Sequence, residues 1–206
     1  MTQTSADEVL PPRSPDESAL VERVIAIVRR AEARLPALVS TDTEHDEHGA
    51  RVAVREVVAE RALLTESPGM YYVNPYTGCI LGCRYCYGIG RTEFVRAMGD
   101  LPALPWGRWL DVKVNAPELL ARDLREHPPG TVRLSPLVTD PYQPIERRYR
   151  VTRRCLEVLG ASEFTPVVLT RSPVVTDDLA LFRALPRLIV GVSIPTDDDA
   201  VRAAFE

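Results

Sequence analysis

Lysine is nearly missing from this 206-residue chain: Lys113 is the only one, and arginine supplies the rest of the positive charge. We read that as coding bias and not mechanism. A formal net charge of −4 excludes a broad basic field for a nucleic-acid backbone and leaves only a local groove for such a partner. Aromatic residues are sparse at 6%, while the 18 prolines exceed the usual share of about 5%. No apolar run approaches the roughly 20 residues that a membrane span needs, so no membrane partner is expected. The N-terminus carries no signal-peptide pattern, which makes a reducing cytoplasm the expected setting. Four cysteines in a chain of this length do not make a disulfide scaffold.

What is present suffices for a core: 45% of the residues are hydrophobic, and the pattern reads as one domain with a tail. Residues 1–13 are polar and proline-punctuated, as a disordered tail is. An extension covers residues 14–69. It holds a helix opened by Ser14-Pro15-Asp16-Glu17 and running to about Arg34, then an acidic loop at 40–49, then an alternating strand from Arg51 to Val58. His45 and His48 lie among carboxylates in that loop, which we read as solvated because nothing fixes them as ligands. From Met70 to Glu206 the pattern becomes strand, loop, helix, repeated. Strands are expected at Met70–Val73, Leu110–Val114, Val132–Val138, Pro166–Thr170 and Leu188–Ile194. Helices are expected after Asn115, after Thr152 as far as Gly160, after Thr176 and after Thr196. Such repeats argue for a parallel sheet covered by helices, with functional groups at the carboxyl ends of the strands.

Three cysteines fall within eight residues, at 79, 83 and 86, with the spacing C-x3-C-x2-C. A structural zinc site wants four ligands, typically in two close pairs, and Cys155 stands alone about 70 residues downstream. Ordinary electron-transfer clusters also take four cysteines. A loop that supplies three leaves one iron open to a small molecule.

This spacing, with Tyr85 just before the third cysteine, resembles the signature of the radical S-adenosylmethionine (SAM) enzymes. Val112 to Leu120, Thr139 to Glu146 and Thr152 to Leu159 further resemble the spore photoproduct lyase-related branch, over roughly residues 50 to 206. The resemblance implies an α/β fold, an incomplete (β/α) barrel with an N-terminal helical extension, apparently truncated after its fourth strand or completed by a partner chain. It implies a [4Fe–4S] cluster on Cys79, Cys83 and Cys86, with the open iron chelated by SAM. Tyr85 would meet the adenine through its backbone, and Thr139, Arg171 and Ser193 would hold polar groups of SAM. Tyr87 would belong to a hydrogen-transfer route. The implied chemistry is reductive cleavage of SAM to methionine and a 5′-deoxyadenosyl radical, fed by a donor such as a flavodoxin or ferredoxin. A nucleic-acid substrate follows only by analogy with the branch. Leu137 stands where the repair members have a cysteine, which implies a substrate other than spore photoproduct. The rival readings are a non-catalytic metal- or iron–sulfur-binding module and an inactive fragment of a longer enzyme.

Other residues carry less. Gly88-Ile89-Gly90 reads as slack beside the cluster, and Cys155 as a small buried hydrophobe. Trp106 and Trp109, near Pro102 and Pro105, offer rings for stacking on a substrate base, but they read rather as cover for the barrel's bottom or an edge.

Overall fold

The alternating valines of residues 51–58 build a strand that buries Val52, Val54 and Val57 and exposes both ends. The structure, a computed structural model, describes residues 37–46, 49–98, 101–134 and 138–205. The expected tail and first helix, His48 and Leu137 lie outside the described residues. In chain order the strands are β1 (Ala37–His45), β2 (Arg51–Val58), β3 (Leu63–Ser67), β4 (Met70–Val73), β5 (Tyr76–Thr77), β6 (Trp109–Lys113), β7 (Thr131–Leu134), β8 (Thr165–Thr170) and β9 (Ile189–Val192). The helices are α1 (Gly88–Met98), α2 (Ala116–Asp123), α3 (Glu146–Tyr149), α4 (Val151–Gly160), α5 (Leu179–Ala184) and α6 (Asp199–Phe205).

The expected incomplete barrel is not what these strands form. They make two mixed sheets, one of four strands in the order β1-β2-β6-β5 and one of five in the order β3-β4-β7-β8-β9. The reason lies at β6, which has a partner on each edge. It runs parallel to β2 and antiparallel to β5, so β4 pairs with β7 instead. Arg55 and Asp111 stand opposite each other in the β2–β6 register, and the guanidinium grips both carboxylate oxygens at 2.7 and 2.6 Å. A bidentate pair of this kind fixes register as well as adding energy.

The expected strands all occur, Arg51–Val58 and Met70–Val73 with the expected bounds and the others with shifted ends, and β4, β7, β8 and β9 are mutually parallel. Their core is apolar: Val73, Val132, Leu134 and Val168 are buried, as are Leu120 of α2 and Leu156 and Leu159 of α4. β9 forms one edge, and its Ile189 and Val192 are each 56% exposed.

Several local expectations are corrected. Most of the acidic loop at 40–49 is strand: β1 pairs antiparallel with β2, and the hairpin turns at Asp46, whose carboxylate accepts from the Ala50 amide at 2.8 Å. The acids of β1 have partners, since Arg148 bonds both Asp42 and Glu44. Gly88-Ile89-Gly90 is not slack but the first turn of α1. Asn115 makes no side-chain cap; it bonds the Ala59 amide and carbonyl, both at 2.9 Å, and so ties the end of β2 to α2. Thr152 lies inside α4, and the carboxylate of Glu146 takes the capping role, accepting the Thr152 and Arg153 amides at 3.1 and 3.0 Å.

Candidate cysteine-lined site

The cysteine loop is delivered by β4 and β5 and leads into α1. Each end is anchored in buried ground. Tyr76 of β5 is fully buried, and its hydroxyl donates to Glu146, the residue that caps α4. The Gly78 amide donates to the Val138 carbonyl at 3.2 Å, and Gly78 holds φ +87°. A Cβ there would stand 2.7 Å from the Trp109 carbonyl oxygen, which is why the position is glycine. Further along, Gln143, itself fully buried, accepts from the Ile80 amide at 2.9 Å and donates to the Thr139 hydroxyl at 2.7 Å. Gln143 thus ties the cysteine loop to the segment after β7.

Glu146 gives this anchor a pH signature. Burial raises its carboxyl above the ordinary range, against the opposing pull of the Tyr76 hydroxyl and the Arg153 and Thr152 amides. A raised carboxyl contributes its full stability below the unfolded-state value of about 4.3, and loses it as pH rises through the raised one. The stability advantage of wild type over Glu146→Gln should therefore be larger at about pH 4 than at about pH 7 in urea titrations. An advantage that grows toward pH 7 would show that the fold prefers the ionised carboxylate.

All four cysteines are free thiols. Cys79, Cys83 and Cys86 line one recess of about 190 Å³. Tyr85 and Tyr87 also line it, as do Thr139 after β7, Arg171 after β8 and Ser193 after β9. Thus the structure brings together all eight residues named from the sequence, across more than 100 positions of chain. Cys155 lies elsewhere, fully buried in α4 among the core leucines, as expected.

Within the recess, charge and burial oppose each other. Burial pushes the Cys79 thiol well up, and the nearby Asp140 carboxylate adds to the rise. Burial also raises Cys83, but the Arg171 guanidinium pulls it back. Arg171 Nη1 donates to Cys83 Sγ at 2.7 Å and also bonds the Tyr85 hydroxyl, with its guanidinium 5.4 Å from the Tyr85 ring centroid. Asp140 orients this arginine from behind: its carboxylate accepts the Arg171 amide at 2.9 Å, the Thr170 hydroxyl at 2.6 Å and the Tyr142 amide at 2.8 Å. The Ser193 amide donates to the Thr170 carbonyl at 2.8 Å, which carries the β8–β9 pairing one step into the site.

Among the described residues, no three His, Cys, Asp or Glu side chains are gathered to hold a single metal ion. A cubane cluster makes a different demand, because its ligands bind separate irons at its corners. Three free thiols around one recess, with a guanidinium beside them to offset negative charge, suit that donor chemistry.

No protein-family profile matches the chain, and no solved structure does. An uncharacterized protein of Methanocaldococcus jannaschii is 34% identical over 132 residues, covering 63% of this chain and 46% of its own length. Uncharacterized proteins of Mycobacterium tuberculosis and Mycobacterium bovis are each 31% identical over 145 residues, covering 68% of this chain and 41% of theirs. The chain therefore spans less than half the length of these curated relatives, whose descriptions state no activity. No helix among the described residues is long and apolar enough to cross a membrane.

Two site residues escaped the sequence reading, and a third was ranked the other way. Gln143 and Asp140 were visible only as polar residues inside the Thr139–Glu146 stretch. Trp106 was expected to cover the barrel's bottom or an edge, yet it lines the recess. Trp109 does pack inside, buried in β6 with Arg96 stacked 4.2 Å from its ring centroid.

Proposed function

We propose that this protein is a radical SAM enzyme resembling the spore photoproduct lyase-related branch. In this reading Cys79, Cys83 and Cys86 hold a [4Fe–4S] cluster and the rest of the recess receives SAM. The observation that supports it best is the convergence on one recess of the three thiols with the residues that follow β7, β8 and β9. Together, the bound cluster and SAM would supply reductive cleavage of SAM and hydrogen abstraction from a substrate carbon. The chain's own residues would position and shield that chemistry. Gln143 and the Tyr76–Glu146 pair hold the cysteine loop in place, and Asp140 holds the backbone that presents Arg171. Arg171 offsets the negative charge of the thiolates and offers a fork for the SAM carboxylate. Thr139 and Ser193 would add polar contacts, the Tyr85 backbone would meet the adenine, and Tyr87 would belong to the hydrogen-transfer route. Because burial keeps Cys79 and Cys83 protonated, loading the site displaces protons, and uptake should strengthen as pH rises. A reducing donor such as a flavodoxin or ferredoxin belongs to the same proposal; the substrate is unassigned, and nucleic acid follows only by analogy with the branch.

The test is anaerobic reconstitution with iron and sulfide, followed by titration with SAM. Arg171→Ala should weaken SAM binding by about 1.5–3 kcal/mol, the worth of a charge-assisted hydrogen bond. Unchanged affinity by calorimetry would remove Arg171 from the SAM site.

A further inference from the structure

The three thiols of the recess are not held alike. Cys79 accepts from the backbone amides of Leu81 and Asp140, and Cys86 accepts from the Gly88 amide at 3.4 Å. Those donors are neutral. Cys83 differs, because Arg171 Nη1 donates to its sulfur at 2.7 Å and brings a full positive charge into contact. Cys83 is buried and Arg171 half-buried, so water screens this contact little.

Several bonds fix the arginine in that position. The Asp140 carboxylate accepts the Arg171 amide at 2.9 Å and the Thr170 hydroxyl at 2.6 Å, and the Ser172 amide donates to the same hydroxyl at 3.0 Å. They set the backbone from which the guanidinium reaches Cys83, 88 residues away in sequence. At the tip, Nη1 also bonds the Tyr85 hydroxyl and is thereby held between two residues of the cysteine loop. A thiol contact through Nη1 is compatible with a carboxylate grip, since a guanidinium has five N–H donors. Arg55 shows the second mode in this same chain, holding Asp111 through Nε and Nη2.

We propose that Arg171 is a redox-tuning residue, which makes the cluster easier to reduce through its contact with Cys83. The inference rests on the cluster reading and gives the arginine a second role, separate from SAM. Reduction adds negative charge to a group already ligated by thiolates. A cation against one of their sulfurs stabilises the reduced state more than the oxidised one, and it does so most strongly where water is excluded. Net charge and hydrogen bonds to the sulfurs are among the features that set the potentials of such clusters.

The test is a redox titration of the reconstituted chain without SAM, followed by visible absorption and electron paramagnetic resonance. Dithionite supplies the electron; one electron passes to the cluster, and no bond in the protein forms or breaks. Arg171→Met removes donor and charge, Arg171→Gln keeps an N–H without the charge, and Arg171→Lys keeps the charge without the fork. The reduction equilibrium of both neutral variants should become roughly three- to thirtyfold less favourable, which is about 30–90 mV more negative at about 59 mV per tenfold. Arg171→Lys should recover most of that shift while its SAM affinity stays low, because an ammonium lacks the bidentate geometry. Neutral variants within twofold of wild type would overturn the inference and leave the SAM role standing. A lysine variant shifted as far as the neutral ones would also overturn it, since charge would then not be the cause. Should Arg171→Met fail to hold iron, Arg171→Gln decides by the same criterion. A wild-type chain that takes up no iron would overturn the cluster reading, and this inference with it.

Discussion

Replacing Cys79, Cys83 or Cys86 with alanine should abolish the proposed iron–sulfur binding, whereas Cys155→Ala should leave it unchanged. Wild type should take up about four irons per chain on anaerobic reconstitution, and each of the three variants should take up essentially none. Each loses one of the only three thiols lining the recess. Cys155 belongs to another environment: it is fully buried in α4, and burial pushes its thiol pKa far up, as in a packed core residue. Its alanine variant should lose only stability, by about 1 kcal/mol for a small buried group. Iron and sulfide analysis of the four variants, with visible absorption, decides the matter. If Cys155 proves as essential as the others, a four-ligand site replaces the three-thiol one.

Gly78→Ala should be among the most disruptive single changes to the fold. The residue sits at φ +87°, where an L side chain is strained by about 1–2 kcal/mol. The new Cβ would also lie 2.7 Å from the Trp109 carbonyl oxygen and 2.8 Å from its ring. Trp109 cannot easily yield, since it is buried in β6 beneath Arg96. Overpacking of this sort adds about 1–3 kcal/mol, for a total near 2–5 kcal/mol. Gly49→Ala separates the two causes, because Gly49 has a similar φ of +76° and nothing within 4 Å of its Cβ. That control should lose about 1–2 kcal/mol. Chemical denaturation of both variants is the check. Equal losses would mean that Trp109 moves aside freely and the loop is not wedged there.

The site was more legible than the sheets. The family resemblance placed Thr139, Arg171 and Ser193 at successive strand ends, and parallel strands present their carboxyl ends on one side. Partition of the strands could not be read in this way. β6 pairs with β2 in a register that sets Arg55 opposite Asp111, 56 residues apart, and local periodicity contains no trace of that pairing. β1 was hidden because its acids resemble a loop until Arg148, more than 100 residues later, supplies their partner. Capping was misassigned for the same reason: Glu146 lies outside α4, beyond the local pattern that pointed to Thr152. Trp106 and Gln143 belong to the recess through a glycine-to-glycine contact and a single buried amide, neither of which has a periodic signature.

The most direct test of the central claim is the fate of SAM on the reconstituted, reduced protein. The three-thiol reading predicts conversion of SAM to methionine and 5′-deoxyadenosine by wild type and by Cys155→Ala, and none by Cys83→Ala. A wild-type protein that carries four irons and binds SAM yet releases no 5′-deoxyadenosine under strong reduction would contradict it.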